Sequence, residues 1–268
     1  MKTSIAIIGA GNIGLAIAKG LVCSKKIQPH QITLTSRHKN KLNHIQKSGF
    51  NISENNKKTI QVSEIIIICV TPNQIKNLSN EIKNIFTKKQ LIISVVSGIN
   101  INELEAYLEC NNIIRAMPNT AVSICESMTC IASKNNQSKH TKLAQKIFDM
   151  VGSTLLIHEE QMASATSLGA CGIAFFLRAI RAASQGGIEI GFHSNESFTI
   201  VAQTARGAAS LLKSNINHPE SEIDKVTTPQ GATISGLNEM EHQGFSSAMI
   251  KGIVTSAKKI DNLFDKKQ

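Results

Sequence analysis

The chain has 268 residues, of which 41% are hydrophobic and 18% are charged. This balance is ordinary for a globular protein and excludes a disordered or fibrous chain, and the length predicts one large domain or two. The formal net charge of +10 comes from Lys and Arg spread along the whole chain. With no Trp and one Tyr, there is no basic strip interleaved with aromatic residues, so we expect no nucleic-acid partner.

Six cysteines and eight histidines are scattered without a C-x-x-C pair or two histidines four residues apart. This pattern predicts buried free thiols in a reducing compartment, no metal site and a cytoplasmic location. The apolar amino-terminal run is interrupted by glycines, which favours a strand, turn and helix over a signal peptide. No uninterrupted apolar run reaches the roughly 18 residues that cross a bilayer, so we expect no membrane partner.

Short apolar runs of strand length alternate with helix-length stretches over the first half of the chain. Near-continuous apolar strands that alternate with helices are typical of a parallel sheet covered on both faces, so we predict an α/β, doubly wound (Rossmann) domain. The predicted strands are Ser4–Ile8, Gln31–Thr35, Ile65–Val70, Leu91–Val96, Ile113–Ala116 and Met128–Ala132. The predicted helices are Ile13–Cys23, Lys39–Lys47, Gln74–Ile85 and Ile101–Leu108.

From Glu159 the strand-like runs disappear and long helical patterns rich in small residues follow. We therefore predict a dinucleotide-binding domain over residues 1–158 and an all-helical domain over 159–268. A helical domain of this size with few large apolar side chains buries little surface alone, so we expect it to pair with a second copy, as a homodimer or a larger assembly of dimers. The predicted helices are Met162–Gly186, Ser194–Asn215, Gly231–Gln243 and Ser246–Phe264.

The stretch Gly9-Ala10-Gly11-Asn12-Ile13-Gly14 matches G-x-G-x-x-G directly after a predicted strand and before a predicted helix. This context turns a weak motif into a strong indication of dinucleotide binding. Gly9 permits the tight turn, Gly11 lets the backbone approach a pyrophosphate, and Gly14 lets the helix pack on the strand. The helix N-terminus, with Asn12 and Ile13, offers N–H donors to the anion. The alternative is a turn with incidental glycines.

The end of the second predicted strand distinguishes between the two nicotinamide cofactors. An enzyme that uses NAD has an acidic residue there, but this chain has no Asp or Glu before Glu54. Ser36, Arg37 and Lys39 instead supply a hydroxyl group and two cations where a 2′-phosphate would lie. We therefore predict NADP(H). The alternative is that Arg37 and Lys39 are solvated surface charges.

Two further loops follow predicted strands. Val70, Thr71 and Pro72 come after the third strand, and Ser94–Gly98 closes the fourth. Because the carboxyl ends of parallel strands surround the ligand crevice of a doubly wound sheet, both loops are candidate cofactor contacts. Ordinary βα turns are the alternative.

Several segments of the chain form a recognisable series nearly from end to end. They are the glycine turn, "VTP" at Val70–Pro72, "IIRAMPNTA" at Ile113–Ala121, "HP" at His218–Pro219, "VTTPQGATISGL" at Val226–Leu237, and the diverged "ATSLGACGIAFF" at Ala165–Phe176. In their order and spacing, these segments together resemble the pyrroline-5-carboxylate reductase family. "MPNT" followed about a hundred residues later by Pro-x-Gly-x-Thr is much more specific than the glycine turn.

This resemblance implies a Rossmann domain followed by a helical dimerisation domain, with the active site where they meet. It implies reduction of 1-pyrroline-5-carboxylate to L-proline by hydride transfer from NADPH to the C=N carbon. By the resemblance, the loop by the nicotinamide is Met117, Pro118, Asn119 and Thr120. The turn that receives the substrate is Thr228, Pro229, Gly231, Ala232 and Thr233, with the Thr233 hydroxyl near the ring nitrogen as positioner or proton relay.

The second turn also has a physical argument of its own. Pro229, Gly231 and Thr233 open a predicted helix, whose N–H groups and dipole form an anion site suited to a small carboxylate. Thr228 or Thr233 acting only as a helix cap is the alternative. A protonated imine is already electrophilic, so the protein mainly has to hold the donor and acceptor carbons about 3–3.5 Å apart.

Most departures from the family pattern fall on the substrate side. Where the family usually has glycine, this chain has Gln230, and a glycine with φ > 0 would be hard to replace there. Two other functions therefore stay open: reduction of another cyclic imine or small carbonyl acid, and NADP binding without catalysis. The remaining departures are Thr71 for lysine, Ala121 and Ile173 for prolines, Gly169 and Cys171 for serines, and Arg181 for glutamate.

Overall fold

The computed structural model describes residues 3–37, 42–111, 113–214 and 218–265, with only the backbone for 261–265. The chain forms two compact units. The first comprises the chain up to Cys171 together with the carboxyl-terminal part from Ser256, and the second is Gly172–Thr255.

The first unit is built on an eight-stranded sheet in the order β3-β2-β1-β4-β5-β6-β7-β8. Its strands are β1 (Ile5–Ile8), β2 (Ile32–Thr35), β3 (Asn51–Ser53), β4 (Ile65–Ile68), β5 (Leu91–Ser94), β6 (Ile113–Met117), β7 (Ser127–Ala132) and β8 (Gly152–Leu156). Its helices are α1 (Asn12–Cys23), α2 (Asn43–Lys47), α3 (Asn56–Gln61), α4 (Ile75–Ile82), α5 (Ile101–Leu108), α6 (Lys139–Phe148) and α7 (Met162–Ala165).

Successive residues of the central strands enter cores on opposite faces of the sheet, as the pleat requires. In β1, Ile5 and Ile7 join a core with α1 and α6, whereas Ala6 and Ile8 join a core with α3, α4 and α5. Both faces are therefore covered, and the predicted doubly wound fold is confirmed.

The expected sheet is parallel throughout, and in one pair this expectation is wrong. Strand β7 runs antiparallel to β6. Only nine residues separate them, at 118–126, which is fewer than a parallel crossover needs. The chain instead reverses through a 3₁₀ turn at Thr120–Ile124 and the left-handed Cys125.

The chain is helical after β8, as predicted. The helices are α8 (Gly172–Glu189), α9 (Ser194–Ser214), α10 (Pro219–Asp224), α11 (Ala232–His242) and α12 (Phe245–Asp265). Helix α7 continues into α8 through a π-helical segment, Thr166–Cys171. Within the second unit, α8 and α9 pack through small residues: the Ser197 hydroxyl donates to the Ser184 carbonyl at 2.7 Å, and a Cβ added to Gly187 would lie 2.2 Å from Ser197 Oγ.

The prediction that the cysteines are buried is only partly right. Cys69 and Cys130 are buried, three others are half-buried, and Cys23 is exposed at the carboxyl end of α1. All six are free thiols.

Candidate functional site

The glycine turn joins β1 to α1, and its three glycines differ in what surrounds them. Gly9 has φ 103°, and a Cβ added there would lie 2.8 Å from the Cys69 carbonyl oxygen. A Cβ on Gly14 would lie 2.2 Å from the Gly9 oxygen, whereas a Cβ on Gly11 would meet nothing within 4 Å. The fold itself therefore requires Gly9 and Gly14, and the space over Gly11 is open to a ligand.

Helix α1 begins without a side-chain cap. Its N-cap is Gly11, and there is no acidic residue in its first turn. Asn12 is exposed, and the half-buried Ile13 packs its side chain against the core, so both can offer backbone N–H groups. The first turn of α1 thus has the backbone N–H donors that an anion such as a pyrophosphate would need.

Strand β2 ends beside the glycine turn. The Thr35 carbonyl accepts from the Ala10 N–H at 3.0 Å, and the Thr35 hydroxyl accepts from the Gly9 N–H at 3.3 Å. Ser36 and Arg37 follow directly, and Arg37 is exposed. A cation lies where an NAD enzyme has a carboxylate, which favours a 2′-phosphate. Lys39 lies outside the described residues.

The Val70–Pro72 segment lies against the same turn, since a Cβ on Gly9 would approach Val70 Cγ1 to 3.1 Å. Thr71 is the N-cap of a 3₁₀ turn at Pro72–Gln74, and its backbone N–H donates to Gln74 Oε1 at 3.1 Å. This capping interaction accounts for the conformation of the turn without a ligand, so the role of Val70–Pro72 as a cofactor contact stays a prediction.

The Met117–Thr120 segment follows β6, at the same edge of the sheet. Met117 and Pro118 are buried, Asn119 is half-buried and Thr120 is exposed. The Asn119 side chain accepts from the Ala121 N–H at 3.0 Å and donates to the Gly169 carbonyl at 3.2 Å. Asn119 therefore ties the predicted nicotinamide loop to the π-helical segment.

Sequence reasoning missed an ion pair of a buried arginine with a half-buried glutamate at the base of this loop. Arg115 Nη1 donates to Glu159 Oε1 at 3.0 Å. Burial lowers the pKa of Arg115, and the hydrogen bond and negative charge of Glu159 counter that effect. The signal was visible as one arginine inside the apolar strand "IIRAM", but its partner 44 residues away was not.

The second predicted site is a turn that opens α11. The Gly231 N–H donates to the Thr228 carbonyl at 2.9 Å, which closes a β-turn with Pro229 second and Gln230 third. Gln230 has φ 59°, the left-handed conformation that usually requires glycine. Gln230 therefore holds a conformation that glycine reaches more readily.

Helix α11 has the same uncapped start as α1. Its N-cap is Gly231, with no side-chain hydrogen bond and no acidic residue in the first turn. The alternative that Thr228 or Thr233 caps this helix is therefore wrong. Ala232 and Thr233 are the first two residues of α11, and both are exposed, as is Pro229. The Thr233 hydroxyl and the N–H groups of Ala232 and Thr233 are available to a ligand, whereas the Gly231 N–H is used by the turn itself.

Among the described residues, no group of three or more His, Cys, Asp or Glu residues could hold a metal ion. One helical run of this part of the chain, Glu159–Glu189, is long and apolar enough to cross a membrane. Of its most apolar stretch, 17% is buried within the chain.

Comparison with known families identifies both halves of the chain. Residues 159–263 match the model described as pyrroline-5-carboxylate reductase dimerisation, and residues 4–98 match one described as NADP oxidoreductase, coenzyme F420-dependent. Pyrroline-5-carboxylate reductase 2 of Dictyostelium discoideum is 47% identical, over 96% of this chain and 91% of that protein. The chain belongs to the pyrroline-5-carboxylate reductase family. Pyrroline-5-carboxylate reductase 1 of the same organism is 50% identical over 98% of this chain, which spans half of that protein's length.

Solved pyrroline-5-carboxylate reductases have the same fold. The Plasmodium falciparum protein, solved with NADP bound, superposes with a TM-score of 0.88 at 25% identity, over 98% of both chains. The Coxiella burnetii protein gives 0.86 at 26% identity, over 98% of this chain and 99% of that one. The resemblance inferred from the motifs is confirmed.

Proposed function

We propose that this chain reduces 1-pyrroline-5-carboxylate to L-proline with NADPH. The observation that carries the proposal is the turn before α11. Gln230 departs from the family pattern, yet it adopts φ 59° and leaves the N-terminus of α11 uncapped and exposed. The turn that would receive the substrate carboxylate therefore holds, with glutamine, a conformation that glycine favours.

The residues around the glycine turn suit the cofactor. Gly11 leaves open space above an uncapped helix start, and the exposed Arg37 suits a 2′-phosphate. The NADP(H) prediction is confirmed by the match to an NADP oxidoreductase model and by the NADP-bound relative. When bound, the reduced nicotinamide supplies the hydride.

The side chains and backbone then have three tasks. The loop Met117–Asn119 orients the nicotinamide, and the N–H groups of Ala232 and Thr233 hold the substrate carboxylate. The Thr233 hydroxyl lies by the ring nitrogen, where it positions the imine or passes a proton. Hydride reaches the imine carbon while the nitrogen carries the proton, so no strong acid or base is needed. Holding the two carbons in contact is the main catalytic contribution.

We further propose a homodimer, or a larger assembly of dimers. The match to a dimerisation model supports an assembly of like chains. The exposed apolar side chains of α8 and α9, such as Phe176 at 61% and Phe198 at 58%, would then be covered by a second copy rather than by lipid. Six free thiols agree with a cytoplasmic location.

The direct test follows the loss of NADPH absorbance with 1-pyrroline-5-carboxylate. We expect turnover, tighter binding of NADP than of NAD, and a large loss of kcat in Thr233→Ala. Thr233→Ser, which keeps the hydroxyl group, is the matched control and should retain most of the activity. A folded, NADPH-binding wild-type protein that turns over no 1-pyrroline-5-carboxylate would overturn the proposal.

The exposed side chain of Gln230 favours one alternative, reduction of another cyclic imine, because it adds an amide group at the substrate turn. A panel of cyclic imines and small carbonyl acids tests this alternative. A chain that binds NADP and reduces nothing would instead be a non-catalytic relative. In that case, activity gained by Gln230→Gly together with Ile173→Pro would indicate that catalysis had been lost.

A further inference from the structure

The ion pair between the buried Arg115 and the half-buried Glu159 lies at the base of the predicted nicotinamide loop. All five residues of β6 are buried, and Arg115, at 5% exposure, is the charged one among them. An arginine buried within a sheet needs a partner, because its charge loses its hydration. A hydrophobic residue at this position would fill the same space without a charged partner, so packing alone does not account for the pair.

One carboxylate oxygen joins three segments of the chain. Glu159 Oε1 accepts from Arg115 Nη1 of β6 at 3.0 Å and from the backbone N–H of Ile101, the first residue of α5, at 2.7 Å. Glu159 itself begins the 3₁₀ turn that leads into α7. The pair thus fixes the end of β6 against the start of α5 and against the helical segment that follows the sheet.

A second hydrogen bond joins the loop after β6 to the helical segment that follows the sheet. Ten residues beyond Glu159, the Gly169 carbonyl accepts from Asn119 Nδ2 at 3.2 Å. Between the two links, Met117 of the loop and Met162 of α7 lie in one buried cluster. The loop Met117–Asn119 is therefore held to residues 159–171 at its base and at its tip, all within the first compact unit.

We propose that Arg115 and Glu159 are positioning residues for hydride transfer. Neither belongs to the glycine turn, so their task is to hold the Met117–Asn119 loop, and through it the nicotinamide, in the reactive position. This inference rests on the proposed function. It predicts that loss of the pair slows the hydride step and leaves NADPH binding nearly unchanged, because the anion site at α1 is intact.

The test uses the full-length protein and two kinds of variant. Glu159→Gln keeps the size of the side chain and removes its charge. The double variant Arg115→Met, Glu159→Leu replaces the pair by apolar side chains of similar volume, a change that buried ion pairs often tolerate. The matched control is Lys83→Met, which removes the exposed pair of Lys83 with Glu109, about half of each side chain being in solvent.

We expect both kinds of variant to lower kcat by about 10- to 100-fold, since a small misplacement of reacting groups has effects of this size. The Kd of NADPH should change by less than about threefold, and Lys83→Met should match the wild type. With NADPH that carries deuterium at the transferred position, the isotope effect on kcat should rise in the variants, because the hydride step has become slower. A pair that matters only for stability would not change this isotope effect.

Three outcomes would overturn the inference. The first is a double variant whose melting temperature and kcat are both those of the wild type. The second is a loss of kcat without a rise in the isotope effect, and the third is failure of every variant to fold, which would give the pair a purely structural role. An inactive wild-type protein would instead contradict the proposed function, so the two failures are distinguishable.

Discussion

The two compact units differ in where their cores come from. In the first, buried Ile, Leu, Val and Phe side chains fill both faces of the sheet. In the described part of the second, residues 172–214 and 218–255, the buried residues are Gly172, Ser184 and Ser197, and large apolar side chains such as Phe176, Ile200 and Leu211 are exposed. The sheet unit supplies its own core, whereas the helical unit depends on a cover from outside the chain.

The two candidate anion sites differ in the same way. Backbone and side chains of the same unit enclose the glycine turn, as the contacts of Gly9 and Gly14 show. The turn before α11 is exposed, and its shape is fixed by its own backbone at Gln230. The first site is therefore built by tertiary packing and the second by local geometry.

The largest effect is expected from a charge placed on the apolar surface of the helical unit. Phe176→Glu should convert the assembly to monomers, because each copy loses about 2–3 kcal/mol of apolar burial and would have to bury an unpaired charge. Light scattering measures the change. Lys213→Glu, at an exposed and already charged position of α9, should leave the assembly intact. A wild-type chain that is monomeric at all concentrations would contradict the proposed dependence on a second copy.

Within the glycine turn, two substitutions should separate folding from cofactor binding. Gly14→Ala places a methyl group against the Gly9 carbonyl and should lower the free energy of unfolding by about 2–3 kcal/mol. Gly11→Ala has free space, so its stability cost should stay below about 1 kcal/mol. The affinity of Gly11→Ala for NADPH should nevertheless fall at least about tenfold, or ~1.4 kcal/mol. Urea unfolding and cofactor titration measure the two effects, and equal stability losses would contradict the assignment.

Burial of the Cys69 thiol in the sheet unit should make the protein less stable in alkali. Burial raises the pKa of Cys69 far above its ordinary value of 9.0, so the folded state keeps a proton that the unfolded state releases. This contribution is complete below about pH 9 and is lost as the pH rises further, by about 1.4 kcal/mol per pH unit. Cys69→Ser should remove this part of the slope between pH 9 and 11 in urea unfolding. An identical slope in both proteins would contradict it.

The smallest effect is expected at the turn before α11. The left-handed conformation costs glutamine about 1–2 kcal/mol, and Gln230→Gly removes this cost. Because glycine also adds chain entropy to the unfolded state, the net rise in the free energy of unfolding should be about 0.5–1 kcal/mol. Gln243→Gly is the control, because Gln243 at the end of α11 has φ −79°. It should be destabilised by a similar amount. A loss of stability in Gln230→Gly would contradict the local origin of the turn.

The sequence predicted the parts of the molecule that local patterns determine. Helix α5 was predicted with its observed bounds, Ile101–Leu108, and in the structure a capping box of Asn100 and Glu103 begins it. The glycine turn and the central apolar strands were located for similar reasons. Strand β8 was missed because it is an edge strand with alternating half-exposed residues, and β3 because it has three residues. The fold class and the central strands followed from the hydrophobic periodicity, whereas β3 and β8 form only because they pair with neighbouring strands.

Features made by contacts between distant segments could not be predicted. The bond from Asn119 to Gly169 joins residues 50 positions apart, and the partner of Arg115 lies 44 positions away. Gln230 adopts a left-handed conformation that is unusual for glutamine, so the sequence alone put the shape of this turn in doubt.

Helices α3, α6 and α10 were also missed, because each of them is short or polar.

The hydrogen bonds of Thr35 divide the donors of the glycine turn between protein and ligand. The N–H groups of Gly9 and Ala10 are taken by the hydroxyl and carbonyl of Thr35, while the first bond within α1 is donated by Leu15 to the Gly11 carbonyl. The donors from Gly11 to Gly14 precede that bond and have no partner within the helix. The donors left for a phosphate are therefore those at the helix start, while the strand residue Thr35 occupies the two donors that precede them.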